Sequence, residues 1–160
     1  TFLVLYWMHI LKQSNTSGSL ALSVLFIVGA TGTIIGGHLV DHIGAVKTIR
    51  FAFTIMPFLL LAFSLTKSVI VASALLLPIG MLIFIPYSAI VLLGQRYLPN
   101  QMGLASGVTL GLAISIGGIA TPFLGQVADA TSLITVFFIL TAVALIPMGA
   151  AYFIIEPTIK

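Results

Sequence analysis

The sequence has 160 residues, of which 60% are hydrophobic and 6% are charged, with a formal net charge of +3 and no cysteine. Because a soluble domain carries about a quarter charged residues, the composition excludes a water-soluble fold, and the lack of cysteine excludes disulfides and thiol chemistry. The few basic residues stand apart at the ends of apolar runs, so nucleic-acid binding is not expected. Long apolar runs without two-residue alternation exclude a membrane barrel and predict an all-α membrane protein.

Apolar runs of about twenty residues, the length that spans a bilayer, recur along the chain between short polar turns. The predicted spans are 20–40, 48–66, 69–93, 102–124 and 134–155. A shorter apolar run, 1–11, precedes them, and we interpret it as the second half of a helix that starts before Thr1. We therefore expect 1–160 to be the C-terminal transmembrane bundle of a longer protein, six helices with the first truncated, whose N-terminal half is missing here.

The charges in the loops predict how the bundle sits in the membrane. One side carries four basic residues and one histidine: Lys47, Arg50, Arg96, Lys160 and His42. The other side carries two, Lys12 and Lys67. Since cytoplasmic loops are enriched in Lys and Arg, the first side, with the C-terminus, is predicted to face the cytoplasm of a multi-pass protein in the inner cell membrane.

A weak internal repeat relates the second span to the fifth. A shift of 88 positions aligns Gly29 with Gly117, Thr33 with Thr121, Gly37 with Gly125, and Asp41 with Asp129. The copies are three spans apart and must run in opposite directions, which predicts an inverted 3+3 repeat of about 1–66 and 69–155, as in transporters. Chance alignment of two glycine-rich helices is the alternative, and the shared Gly-x-x-x-Asp favours the repeat.

Small residues recur at every fourth position of the same two spans. The candidate helix-packing glycines are Gly29, Gly103, Gly107, Gly111 and Gly117. Because small residues let helices approach closely, we expect close neighbours on two sides of the fifth span. A sliding interface and plain static packing both fit this pattern.

The remaining spans divide into two kinds. The third and sixth are bulky and nearly featureless, so we expect them to face lipid. The first and fourth are then left to line a central path, because prolines can unwind a helix beside a cavity. The candidate substrate-cavity residues are Tyr6, His9, Pro86, Tyr87 and Ser88.

The stretch 29–50 combines glycines, an acid and two basic residues between apolar runs. We expect a turn at 41–46, with Asp41 just ahead of a helix, where the helix dipole and backbone donors favour a carboxylate. A simple helix cap is the alternative to a functional carboxylate. His38 and His42 lie four residues apart, but no third ligand is apparent, so no metal site is predicted.

Residues 36–47 resemble the signature of a known family of membrane proteins. The segment 36–47, GGHLVDHIGAVK, is similar to a loop signature of the major facilitator superfamily, roughly G-x-L-x-D-R-x-G-R-K. The signature is matched at Gly37, Leu39, Asp41 and Gly44. Its basic positions are occupied instead by His42, Ala45 and Val46, and a basic residue, Lys47, follows one position later. The resemblance implies that these residues hold the cytoplasmic side closed. The candidate latch is Gly37, Asp41, Gly44, Lys47 and Arg50, with Gly125 and Asp129 as the repeat-related turn.

A longer stretch, 94–132, is similar to the C-terminal half of the fosmidomycin resistance protein group of that superfamily. The matching positions are Gln95, Leu98, Pro99, Gly103, Ser106, Gly107, Gly111, Gly117, Gly118, Gly125, Ala128 and Asp129. The resemblance implies helices seven to twelve of a secondary transporter that works by alternating access, with drug efflux by proton antiport.

Transport of a small solute is the leading functional hypothesis. A non-transporting accessory subunit and an uptake transporter for an organic anion or sugar are the alternatives. A membrane enzyme is not expected, because no Ser-His-Asp set or carboxylate pair falls at membrane depth. No nucleotide-binding loop occurs, so ATP drive is not expected and no cofactor is predicted; the resemblance implies a proton gradient as the energy source. Asp41, Asp129 and Glu156 all sit at helix ends, so we expect the proton-carrying carboxylate before Thr1. The expected partners are lipid, the small-molecule substrate and the missing N-terminal half, in a monomer.

Overall fold

The computed structural model describes residues 2–155, and all regular structure within them is helical. The elements are α1 Phe2–His9, α2 Asn15–Ile43, α3 Ala45–Leu65, α4 Val69–Tyr97, a short 3-10 helix Pro99–Gln101, α5 Met102–Ala130 and α6 Leu133–Phe153. Helices α2 to α6 are long and apolar enough to cross a membrane. The prediction of an all-α membrane protein with five full spans after a short first helix is therefore confirmed.

Three helices extend well beyond the predicted apolar spans, because their polar ends stay helical. Helices α2, α4 and α5 have 29 residues each, or about 43 Å at 1.5 Å per residue. A bilayer core is about 30 Å thick, so the polar ends of these helices project past it. Serine caps begin two helices: the Ser14 and Ser132 hydroxyl oxygens accept hydrogen bonds from Ser17 N and Thr135 N, both at 3.2 Å. Each cap satisfies a backbone donor that has no partner within its helix.

Helix α4 lies at the centre of the bundle. It packs along α2 and α3 and meets α5 at one end, while α3 also packs against α6 and α1 packs against α2. Helices α3 and α4 are the most buried of the five spans, and α5 is the least buried. The expectation that the third span faces lipid is therefore wrong for one of its faces, and one side of the fourth span fills the core while Tyr87 stays exposed. Bulky apolar side chains suit a packed core and lipid equally well, so their sequence did not separate the two.

Aromatic residues from three helices form the main core cluster at one end of the bundle. Tyr6, Trp7, Phe63 and Phe137 are buried together, with ring centroids 4.8 Å apart for Tyr6–Phe63 and 4.9 Å apart for Tyr6–Phe137. This cluster joins α1, α3 and α6, and Leu76 of α4 closes it. Thr1, Glu156 and Lys160, on which several sequence-based expectations rest, lie outside the described residues.

Candidate functional site

A single residue, Gly44, forms the corner between α2 and α3. Its φ of 89° and ψ of 157° lie in backbone space that favours glycine. The Gly44 N–H donates to the Val40 carbonyl at 3.1 Å, and its own carbonyl accepts from Thr48 N at 3.2 Å and from Thr48 Oγ1 at 2.9 Å. Gly44 is therefore at once the last cap of α2 and the first cap of α3, which explains why a glycine stands at this point in the sequence.

Asp41 lies in the last turn of α2, not in a turn ahead of α3. The turn predicted at 41–46 is reduced to Gly44, because the chain stays helical up to Ile43. The end of a helix carries partial negative charge, so the expected stabilisation of Asp41 by a helix N-terminus is wrong. The Asp41 side chain is exposed and makes no hydrogen bond or ion pair within residues 2–155. Its role as a latch stays a prediction.

Two other residues of the predicted latch also face outward. A Cβ added at Gly37 would meet nothing within 4 Å, and Lys47 is exposed in the first turn of α3. A latch built from Gly37, Asp41 and Lys47 would have to close on atoms beyond those of residues 2–155. Nearby, the rings of His38 and His42 are in contact, tilted by 43° with centroids 4.0 Å apart. Among the described residues, no three His, Cys, Asp or Glu side chains are grouped to hold a metal ion.

Arg50 has a role beyond the one predicted. Its Nε donates to the Ala151 carbonyl at 3.1 Å, and its Nη2 donates to the carbonyls of Tyr152 at 3.2 Å and Ile154 at 3.1 Å. These carbonyls lie at the end of α6, where helical partners are lacking. The guanidinium carbon also lies 5.5 Å from the centre of the Tyr152 ring. Arg50 therefore fastens the end of α6 to α3, and its part in the latch around Asp41 stays a prediction.

Tyr6 belongs to the packed core and does not line a cavity. Its side chain is fully buried, and its hydroxyl donates to the carbonyls of Phe63 at 3.0 Å and Thr66 at 2.6 Å. The Thr66 carbonyl follows the end of α3, so Tyr6 ties α1 to that end. The expectation that Tyr6 is a cavity residue is therefore wrong, because an aromatic ring with a single hydroxyl fits this apolar cluster and finds its partners there.

The candidate residues of α4 separate into buried and exposed ones. Pro86 is buried, and α4 continues as one helix through Pro78 and Pro86, so the predicted unwinding beside a cavity is wrong. The Ser88 hydroxyl oxygen is buried and has no hydrogen-bond partner among the described residues. Tyr87 is 42% exposed and keeps its place as a candidate that a solute can reach.

His9 and Asp129 line one cleft of about 400 Å³, although they stand far apart in the sequence. The cleft lies between the ends of α1 and α5, and Leu5, Ile10, Ala128 and Leu133 complete its walls. His9 Nδ1 is 3.1 Å from the Leu5 carbonyl. A carbonyl can only accept, so this hydrogen bond assigns the proton to Nδ1 and leaves Nε2 as the acceptor of the neutral ring. Asp129 is still helical, at the C-terminal end of α5, and does not lie in the connecting turn that the sequence predicted.

The two glycine-rich helices have opposite environments. In α2, a Cβ at Gly29 would collide with the Phe84 ring, one at Gly32 would lie 2.7 Å from the Met81 carbonyl oxygen, and one at Gly36 would lie 2.9 Å from Ile85 Cα. In α5, nothing lies within 4 Å of a Cβ added at the positions Gly103, Gly107, Gly111, Gly117 and Gly125. Close packing is therefore found along α2 against α4. For α5 it stays a prediction about a partner other than residues 2–155.

Two curated proteins resemble the chain over most of its length. It is 31% identical over 150 residues to the Fosmidomycin resistance protein of Escherichia coli (strain K12), which covers 92% of this chain and 36% of that protein. It is 30% identical over 137 residues to the "Uncharacterized MFS-type transporter YfnC" of Bacillus subtilis (strain 168), which covers 82% of this chain and 32% of that protein. No family model matches the chain, and no solved structure matches it significantly.

The chain thus spans about a third of the length of the curated relatives that it matches. Both relatives agree with the resemblance at 36–47 and 94–132, and with a bundle that has five membrane-spanning helices. The chain is that of a multi-pass membrane protein, and it belongs to the major facilitator superfamily of transporters.

Proposed function

We propose that this chain forms one wall of a secondary transporter that moves a small solute across the membrane by alternating access. Its relatives are named as a resistance protein and as a transporter. Transporters are not enzymes, and we assign no catalytic role to any residue of the chain. The proposal concerns the whole protein, of which the chain accounts for a part.

The observation that carries the proposal is the open face of α5. This helix spans the membrane, yet Ala105 is its one buried residue within the described chain. Its glycines present a small-residue face with nothing packed on it, and such a face allows a second helical unit to approach closely. We propose that the rest of the same polypeptide is this second unit, in a monomer surrounded by lipid. The solute would pass between the two.

For the substrate, the proposal follows the name of the first relative; for the energy source, it follows the resemblance described in the sequence analysis. We propose outward transport of a small drug of the fosmidomycin kind, in exchange for protons and without an organic cofactor. His9 and Asp129 are candidate groups for contact with the solute, because they share a cleft, while the proton-carrying carboxylate is expected before Thr1. The basic residues at the Gly44 corner favour an orientation with this corner and the C-terminus on the cytoplasmic side of the inner membrane.

The test is drug flux in vesicles reconstituted with the full-length protein. An imposed proton gradient should drive movement of labelled fosmidomycin, and a pH-sensitive dye should record proton movement in the opposite direction. Empty vesicles and vesicles treated with a proton uncoupler are the controls. Flux that needs the protein but ignores the uncoupler would overturn proton coupling.

Cells give a second and independent readout. Cells that express the full-length protein should grow at higher fosmidomycin concentration and accumulate less labelled drug than cells with an empty vector. Greater accumulation would overturn the proposed direction and favour uptake. No flux of any tested drug, organic anion or sugar would favour an accessory subunit.

A further inference from the structure

A second cleft, of about 340 Å³, lies on the seam between α3 and α6. Its six lining residues combine two cations, two hydroxyl-bearing side chains and two apolar side chains: Lys47, Arg50, Thr54, Tyr152, Phe51 and Ile55. All of them belong to α3 or α6, so this cleft shares no residue with the one that contains His9 and Asp129. It lies close to the Gly44 corner, at the level where α3 begins.

The cleft has positive charge that the described chain leaves unneutralised. Lys47 is exposed and forms no hydrogen bond or ion pair within residues 2–155. Arg50 uses Nε and Nη2 on the carbonyls of α6, and its Nη1 donates to no atom of the described chain. No acidic side chain of residues 2–155 lines the cleft. The site therefore offers an ammonium and free guanidinium N–H donors to an anion, which is the donor set that binds phosphate.

The rest of the cleft is suited to a molecule with an apolar part. Phe51 is 48% exposed and Tyr152 is 57% exposed, so both rings are open to the surroundings of the bundle. The Thr54 and Tyr152 hydroxyl groups lie 3.1 Å apart and hydrogen bond to each other. A free anion would contact the basic end alone and leave these rings uncovered. A phospholipid would place its phosphate at the basic end and an acyl chain along Phe51 and Ile55.

We propose that the α3–α6 cleft is a binding site for an anionic phospholipid, with the headgroup phosphate held by Lys47 and the Nη1 of Arg50. The position of the cleft supports a lipid, because it opens at the end of two membrane-spanning helices. Anionic lipids are enriched in the cytoplasmic leaflet, and basic pockets between membrane helices on that side bind their headgroups. The bound lipid would cover the hydrogen bonds that Arg50 makes to the end of α6.

The test measures lipid that stays bound to the purified full-length protein. The protein is titrated with phosphatidylglycerol in detergent, and native mass spectrometry counts the lipids retained. Lys47→Gln should weaken binding about fivefold, since one basic residue near an anionic lipid surface contributes about 1 kcal/mol. Lys47→Arg should keep the wild-type affinity. Lys67→Gln, an exposed lysine in the connection after α3 at its other end, is the matched control and should change nothing.

Two further arms separate the lipid from other ligands. Phosphatidylcholine has the same phosphate, but its choline offsets the charge, so it should bind wild type more weakly than phosphatidylglycerol and the difference should shrink in Lys47→Gln. Equal binding of the two lipids to wild type would overturn the preference for an anionic lipid. Inorganic phosphate at the same concentration should not displace phosphatidylglycerol, and displacement would show a site for free phosphate. Unchanged phosphatidylglycerol binding in Lys47→Gln would overturn the proposal. The readout does not use transport, so this proposal and the proposed function can fail separately.

Discussion

The contact between α2 and α4 can be tested with two adjacent glycines. Gly36 faces the backbone of α4, where an added Cβ would lie 2.9 Å from Ile85 Cα and closer still to its carbonyl oxygen. Gly37 is the next residue of the same helix, and a Cβ there meets nothing within 4 Å. We therefore expect Gly36→Ala to destabilise the protein and Gly37→Ala to leave it unchanged or slightly more stable.

The magnitude follows from the geometry. Carbon atoms attract at roughly 3.5 Å or more, so α2 and α4 would have to separate by about 0.6 Å, and a backbone neighbour cannot change rotamer to make room. Overpacking of this kind costs about 1–3 kcal/mol. Alanine in a helix interior is favoured over glycine by about 1 kcal/mol, which offsets part of the cost for Gly36→Ala and is the whole effect for Gly37→Ala. The two variants should therefore differ by about 2 kcal/mol in the free energy of unfolding.

The assay is thermal unfolding of the full-length protein in detergent, followed by scanning fluorimetry. A difference of about 2 kcal/mol corresponds to roughly 2–3 °C between the two variants if the full-length protein is about three times as long as this chain, since the shift falls as chain length rises. Expression level and oligomer size, measured by gel filtration, control for misfolded material. If Gly36→Ala unfolds at the same temperature as Gly37→Ala, the close approach of α2 to α4 is refuted.

Four other predictions follow from the same contacts. Arg50→Gln removes donors to the end of α6 and should lower the free energy of unfolding by about 1–3 kcal/mol; an unchanged unfolding temperature would contradict the fastening of α6. Tyr6→Phe keeps the ring but loses its hydrogen bonds, so it should cost about 1 kcal/mol of stability without changing drug affinity in a binding titration, and a change in affinity would return Tyr6 to the cavity. Gly107→Leu and Gly117→Leu should slow drug flux in vesicles at normal expression, because the large side chain blocks an approaching partner; normal rates in both would refute the packing role of α5. Asp41→Asn should weaken flux at a normal membrane level, and wild-type flux would refute its role in the latch.

The sequence was sufficient for the class of fold and for most helix positions, because the physics behind them is local. Twenty-residue apolar runs must cross a bilayer as helices. Gly44 was recognised as a turn residue for the same reason. The extent of the turn was not predicted, because Asp41 and His42 read as loop residues by polarity but remain helical where the helix projects into water.

The pairing of residues across the bundle could not be predicted in this way. Arg50 reaches carbonyls about a hundred positions away in sequence, and a backbone carbonyl leaves no mark on the residue type that carries it. Tyr6 looked like a cavity residue because an aromatic hydroxyl near a span end suits a cavity, an interface or a core equally well. The glycines of α2 and α5 share one spacing, yet only those of α2 meet a neighbour within the described chain.

The one-residue corner at Gly44 also has a mechanical consequence. A loop of several residues would absorb a change of angle between α2 and α3, but hydrogen bonds on both sides hold Gly44 to its two helices. A tilt of α2 is therefore passed directly to α3, and through Arg50 to the end of α6. We therefore expect the ends of α2, α3 and α6 to move together, so that a displacement of α2 is transmitted to the end of α6. Inserting one residue after Gly44 would uncouple the tilt of α2 from that of α3 while leaving each helix intact.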